Sequence, residues 1–316
     1  MRRRFAFAIF SVLVICGPVA AQTRLMVGVP AGGSADMVAR LLAEKLQTSL
    51  GETVIVENRP SASARQAVNE VKNSTPDGST LYVGPNSPFS VLPHVYGDAV
   101  GYDPVRDFTP IIRLTRLDLG LASGPAVPAK NITEALAWAR NNPSKATYGT
   151  SGAGTISHFL GVMIAKATGI PFVHVPYKGG AAATTDLLGG HVSFMIASIA
   201  DQVAPHKADK LHVLANLGQK RSPLLPEVPT LKEAGIEGIA ADLAIDVYAA
   251  AKTPPAIVSR LNAAFSAAIN EPDIQKKIVT YGLFPAPSTP EELRAFQHAE
   301  FEMWKEPIKA SGFAGD

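Results

Sequence analysis

A single cysteine, Cys16, stands in the 316 residues. It falls in the leader described below, so the remainder of the chain has no thiol. That excludes a disulfide scaffold, a cysteine nucleophile and a cysteine-ligated metal together, and an exported chain without thiols cannot mispair in an oxidising compartment. Charge of one sign is also scarce. Beyond Arg2, Arg3 and Arg4 there is no run of Lys or Arg, and the formal net charge is +2, so no basic stripe for nucleic acid exists. Past the leader, no apolar run is long enough to cross a bilayer. The histidines His174, His191, His206 and His212 lack metal-ligand spacing. No metal, cofactor or catalytic residue is therefore expected. Hydrophobic residues at 47% and charged residues at 18% describe a compact folded chain, not a disordered one.

The first residues differ from the rest. Three arginines precede an apolar stretch over 5–15, too short for a comfortable span. Gly17 and Pro18 break it, and Val19, Ala20 and Ala21 place small residues where a signal peptidase reads. The pattern predicts a signal peptide over 1–21, cleavage after Ala21 and a periplasmic mature chain. The alternatives are a membrane anchor or a buried first helix. Ile15 before Cys16 does not suit a lipoprotein site.

From residue 25 the pattern becomes strand, turn, helix, strand. An apolar run over 25–29 ends in Pro30, Ala31, Gly32, Gly33 and Ser34. Met37, Val38, Leu41, Leu42, Leu46 and Leu50 then recur at helical spacing, with Gly51 as the stop. Strands follow at 53–56 and 81–84. Such a unit implies a parallel sheet. The theme returns with a helix at 132–140, a strand at 146–148, a Gly-rich turn at 149–154, a helix at 157–168, and further strands at 172–175, 192–196 and 211–215. A strand at 247–251 and helices at 256–270, 273–281 and 290–310 close the chain. Two βα-rich blocks, each with a Gly-rich turn after its first strand, predict an α/β fold of two lobes facing one cleft. The expected division is 22–118 plus 248–316 for lobe I and 119–247 for lobe II. Crossing segments are expected at 115–121 and 244–248.

The two turns carry the chemistry. In the first, Pro30, Ala31, Gly32, Gly33, Ser34 and Asp36 end a strand and open a helix, where free N–H groups and the helix dipole favour an anion. A plain capped turn, with Ser34 or Asp36 as N-cap, explains the same residues. In the second, Thr150, Ser151, Gly152, Gly154, Thr155, Ser157 and His158 surround a similar bend with hydroxyls, more than one cap requires. Neither turn fits a nucleotide-binding pattern. Ser151 fails the Gly-x-Ser-x-Gly nucleophile elbow at its last position, because Ala153 stands there. His158 reads as a cap or pocket wall rather than a general base. Lys178, after Val175, Pro176 and Tyr177, is either a point charge for an anion or a solvated loop lysine.

Taken in order, these segments resemble the tripartite tricarboxylate transporter substrate-binding proteins, the Bug family. The carrying residues include Val29 through Gly33 with Asp36 and Arg40; Glu57, Asn58, Arg59 and Pro60; Pro76, Asp77 and Gly78; Tyr102 through Phe108; Gly149 through His158; and Val173 through Gly179. Thr185 through Gly190, Pro226 through Thr230 and Thr253 through Val258 complete the set, so the resemblance covers the chain from about residue 25 to 312. It implies a two-lobe, Venus-flytrap periplasmic binding fold of type II and a small organic acid as ligand. It also implies hinge closure and delivery to membrane transporter subunits, or signalling to a sensor, by a monomer. In the family, the turns matching 30–36 and 151–158 form a pincer on one carboxylate. Ser198 joins the expected site beside Ala197, where the family commonly has an acid. Ala244 replaces a common aromatic, Asp246 a common glycine, and Arg65 brings a charge into a normally Gly-rich run. These departures imply a reshaped distal pocket.

Overall fold

A computed structural model describes residues 22–61, 64–177, 180–241 and 243–314. The leader, its cleavage point and Lys178 lie outside the described residues. The chain opens with β1 (Gln22–Val27), α1 (Ser34–Leu50), β2 (Thr53–Asn58), α2 (Arg65–Lys72), β3 (Thr80–Pro85), α3 (Ser87–Ser90), α4 (Leu92–Tyr96) and β4 (Phe108–Leu117). It continues with β5 (Leu119–Ser123), α5 (Ile132–Asn141), β6 (Thr147–Thr150), α6 (Ile156–Thr168), β7 (Val173–Pro176), α7 (Gly180–Leu188), β8 (Phe194–Ser198), α8 (Ile199–Lys207) and β9 (His212–Asn216). It ends with β10 (Leu243–Ala250), α9 (Pro255–Ile269), α10 (Pro272–Thr280), β11 (Phe284–Pro285) and α11 (Pro290–Ser311).

Two sheets result. One runs β11-β4-β10-β3-β1-β2 and the other β7-β6-β8-β5-β9. Neither is wholly parallel, contrary to the expectation from the βα units. β1 pairs in parallel with β2 and β3, whereas β10 runs antiparallel between β3 and β4. The physical reason is that β10 arrives from the second sheet without a helical crossover, so it enters in the reverse sense. The segment 244–248, expected to cross between lobes, lies wholly inside β10. That strand pairs with β4 from Leu243 and with β3 from Ile245. The other crossing is a single residue, Asp118, between β4 and β5.

Both faces of the first sheet are covered, which is why β1 reads as continuous apolar sequence rather than alternation. Leu25 and Val27 face a core with Val38, Leu42 and Leu46 of α1 and Leu261 and Phe265 of α9. Met26 points the other way, toward Tyr82, Phe89 and Tyr248, where Phe89 and Tyr248 stack with centroids 3.8 Å apart. α1 stops where Gly51 takes a left-handed φ of 70° and its N–H caps the Gln47 carbonyl. α11 belongs to neither half alone. It starts at a Thr289–Glu292 capping box, buries Leu293 in the first sheet's core, and buries Trp304 and Ile308 in the second.

Beside that helix, Asp246 meets a different fate from the pocket role expected of it. Its carboxylate is 1% exposed and takes a fork from Arg113, at 2.9 and 3.2 Å, while Arg113 also reaches Glu300 of α11 at 3.1 Å. Asn86 donates to the second Glu300 oxygen at 2.8 Å. Burial, with Asp246 close by, lifts the Glu300 carboxyl to about 7 despite Arg113. Arg65, likewise expected near the cleft, is held away from the two turns: its guanidinium donates to the Ala99 carbonyl and lies over the Tyr96 ring. No helix among the described residues is long and apolar enough to cross a membrane.

Candidate functional site

The first turn is held from behind by Asp36. Its carboxylate is 2% exposed and accepts from the Gly32 N–H at 2.8 Å, Asn58 Nδ2 at 2.8 Å and Arg40 Nε at 3.0 Å. Asn58 also ties to the Val29 carbonyl at 3.1 Å. Burial alone would raise the Asp36 carboxyl, but these three donors outweigh it and hold it below the usual range. Asp36 and Gly32 thus shape the bend and are not free to grip a ligand. Gly32 takes φ +85°, which favours glycine. Gly33, not Ser34 or Asp36, is the N-cap of α1, and no side chain caps that end. The first-turn N–H groups of α1 therefore have no capping side chain; Ser34 is exposed there, Ala35 is buried behind it, and Pro30 and Ala31 are exposed at the lip. A helix start left bare in this way suits an anion.

The second turn is more heavily braced. Thr155 caps α6, accepting from the His158 N–H at 3.3 Å and donating to the Gly152 carbonyl at 2.9 Å. Thr150, fully buried, bonds the Gly152 carbonyl at 2.9 Å and His174 Nε2 at 2.7 Å. Gly154, at φ +71°, donates to His158 Nδ1 at 3.2 Å. His158 is therefore a brace, with its Nδ1 already occupied, rather than a base for Ser151. Ser151 is exposed and its hydroxyl has no partner among the described residues. Ser157 is buried, and Thr150 and Thr155 are engaged, so of the hydroxyls in this turn Ser151 is the exposed one left for a ligand.

His158 stacks on His174 with centroids 4.0 Å apart. Burial pushes His158 down, and burial plus the charge His158 would carry pushes His174 down to about 4. Both rings are neutral at pH 7. The unfolded chain takes up these protons near pH 6.5, whereas the folded chain refuses the His174 proton until about 4. Stability is therefore lost as pH falls through that window, by up to roughly 3 kcal/mol for His174. Urea unfolding at pH 7.0 and about 4.5 is expected to show this loss, and His174→Gln to flatten it.

Each turn follows the carboxyl end of a parallel strand, β1 or β6, the position where open α/β sheets place ligands. Between the sheets lies a feature that sequence reading missed. The buried side-chain atoms without a hydrogen-bond partner, among the described residues, are Thr115 Oγ1, Asp118 Oδ2, Ser198 Oγ and Gln202 Oε1. All come from two short segments at the sheet crossing, where Leu119 pairs with Ser198. An orphaned buried polar atom costs about 1–3 kcal/mol, so four at one crossing mark a place that ligand or solvent completes. Ser198 was legible from the sequence. Thr115, Asp118 and Gln202 were not, although an Asp interrupting the apolar run at Leu117 and Leu119 was an available signal. A cavity of about 80 Å³ at the start of α1 is lined by Ser34, Pro85, Thr115, Leu117, Ala244 and Leu283 among others.

Known proteins resemble this chain in sequence and in fold. A Cupriavidus necator protein described as the UPF0065 protein in the gbd 5' region is 36% identical over 294 residues, covering 92% of this chain and 88% of its own. A solved structure of R. palustris Rpa4515 with adipate matches with TM-score 0.78 and 30% identity, over 93% of this chain and 98% of that one. MatC from Rhodopseudomonas palustris with bound malate matches with TM-score 0.74 and 26% identity, over 92% and 100%. The sequence model of the tripartite tricarboxylate transporter family receptor spans residues 38–313, and by that match the chain belongs to this receptor family.

Proposed function

We propose that this protein captures a small organic carboxylate between two lobes outside the cytoplasmic membrane and presents it to the membrane subunits of a tripartite transporter. The observation that carries this is the bare start of α1, with no side chain capping Gly33, together with the free Ser151 hydroxyl on a turn of the same kind in the other sheet. The adipate- and malate-bound neighbours support an organic acid as ligand. In this reading one lobe comprises 22–117 with 243–289 and the other 119–241, and α11 straps the two. The pincer residues are the Ser34 and Ala35 N–H groups on one side and Ser151 on the other. Gly32, Gly33, Asp36, Gly152, Gly154, Thr155 and His158 shape the bends. Pro30 and Ala31 form the rim, and Ser198 borders the crossing. A ligand touching both turns stabilises the closed form by its extra affinity for that form. Micromolar binding needs only about −8 kcal/mol, within reach of a few charge-assisted bonds and apolar burial. The protein acts as a monomer and performs no catalysis.

The test is calorimetry, after a thermal-shift screen of organic acids has found a ligand. Ser151→Ala is expected to raise Kd about 10- to 100-fold, the worth of one hydrogen bond to a charged group, with an unchanged melting temperature. An unchanged Kd would remove Ser151 from the site and with it the pincer.

A further inference from the structure

The geometry points to a pocket that reads the far end of the ligand, accepting a neutral, mostly apolar group and rejecting a second carboxylate. This rests on the carboxylate-capture reading above and names the class of acid. The cavity of about 80 Å³ opens directly beside Ser34, so an acid held at the start of α1 sends its tail into it. That volume exceeds the roughly 10–15 Å³ one water requires, and suits a short alkyl or acyl chain. The room exists because Ala244 presents only a methyl, at the start of a strand fixed by Asn86 on both its N–H (3.2 Å) and its carbonyl (3.1 Å).

Among the described residues no charged side chain lines this cavity. The nearest along the chain are Arg116, Asp118 and Asp246: Arg116 pairs with Asp118 and lies over the Phe284 ring, and Asp246 pairs with Arg113. A second carboxylate entering would find no cation, and a buried, unpaired charge is strongly disfavoured. One polar atom does wait there: Thr115 is 0% exposed and its Oγ1 has no partner. A hydroxyl can donate to a carbonyl or accept from a hydroxyl, so a neutral oxygen on the ligand's tail would satisfy it.

Three six-carbon acids separate the possibilities by calorimetry on the mature chain: hexanoate, 5-oxohexanoate and adipate. 5-Oxohexanoate is expected to bind at least about tenfold tighter than adipate and about fivefold tighter than hexanoate, the latter from one neutral hydrogen bond. Thr115→Val is expected to erase the advantage over hexanoate while hexanoate itself stays within about twofold, and Thr115→Ser to preserve the advantage. Adipate binding as tightly as the monoacids would overturn the pocket assignment and leave carboxylate capture standing. So would an advantage that survives in Thr115→Val. Should Thr115→Val fail to fold, the wild-type ranking and Thr115→Ser still decide. Failure of all three acids to bind, while the thermal-shift screen finds another acid that does, would overturn the pocket assignment and leave carboxylate capture standing.

Discussion

Replacing Gly33 with valine is expected to weaken acid binding by at least about 100-fold with little change in the fold. Gly33 sits at φ −69°, ψ 160°, extended backbone that any residue adopts, so the backbone conformation itself does not oppose the change. A Cβ there would meet Val29 Cγ2 at 3.0 Å and the Pro30 carbonyl at 3.1 Å, tight enough to shift the lip of the turn. The branched side chain would also stand in front of the Ser34 and Ala35 N–H groups. Losing two bonds to a carboxylate, at about 1.5–3 kcal/mol each, is the source of the factor. Calorimetry checks the affinity and circular dichroism the fold. Retained affinity in a folded Gly33→Val protein would mean that the start of α1 does not hold the ligand.

A second large effect is expected far from the carboxylate. Gly282, between α10 and β11, approaches Ala200 at the start of α8 so closely that a Cβ on Gly282 would overlap the Ala200 Cβ. This contact joins the first sheet's half to the second's. Gly282→Leu should wedge the halves apart and raise Kd about 10- to 100-fold by depopulating the closed form, since apparent affinity scales with the fraction of binding-competent molecules. Gly282 also takes φ +72°, and a leucine there carries a backbone penalty of about 1–2 kcal/mol. Gly51→Leu is the control. Gly51 has φ +70° with nothing within 4 Å of its would-be Cβ, so it shares the strain without the wedge and should bind normally. Small-angle scattering should show a larger radius for Gly282→Leu with ligand present. Equal affinity in the two variants would contradict the closure mechanism.

Much of the architecture was legible because local signals agreed with the global fold. Gly-rich turns follow buried strands, Gly51 stops α1, and Val38, Leu42 and Leu46 repeat on one face. What escaped was set by partners distant in sequence. Asp36 reads as a site acid until Asn58, 22 residues away, and the Gly32 N–H are seen to occupy it. His158 looks like a pocket wall, but its position is decided by His174 and by Gly154. α8 left no periodic trace because only Ile199 and Gln202 are buried on it and Pro205 interrupts it. The antiparallel entry of β10 and the two-core span of α11 depend on how the halves meet, which no local pattern encodes. The same holds for Thr115 and Asp118, whose orphaned atoms exist only once β4 and β5 pass between the sheets.

The most direct measurement is a crystal structure of the mature protein with the tightest acid that calorimetry finds. The carboxylate should lie about 2.7–3.1 Å from the first-turn N–H groups of α1, and within one bond or one bridging water of Ser151. An acid seated elsewhere, such as the outer groove between Arg40 of α1 and Lys277 of α10, would contradict the account. So would the two turns opening onto separate faces.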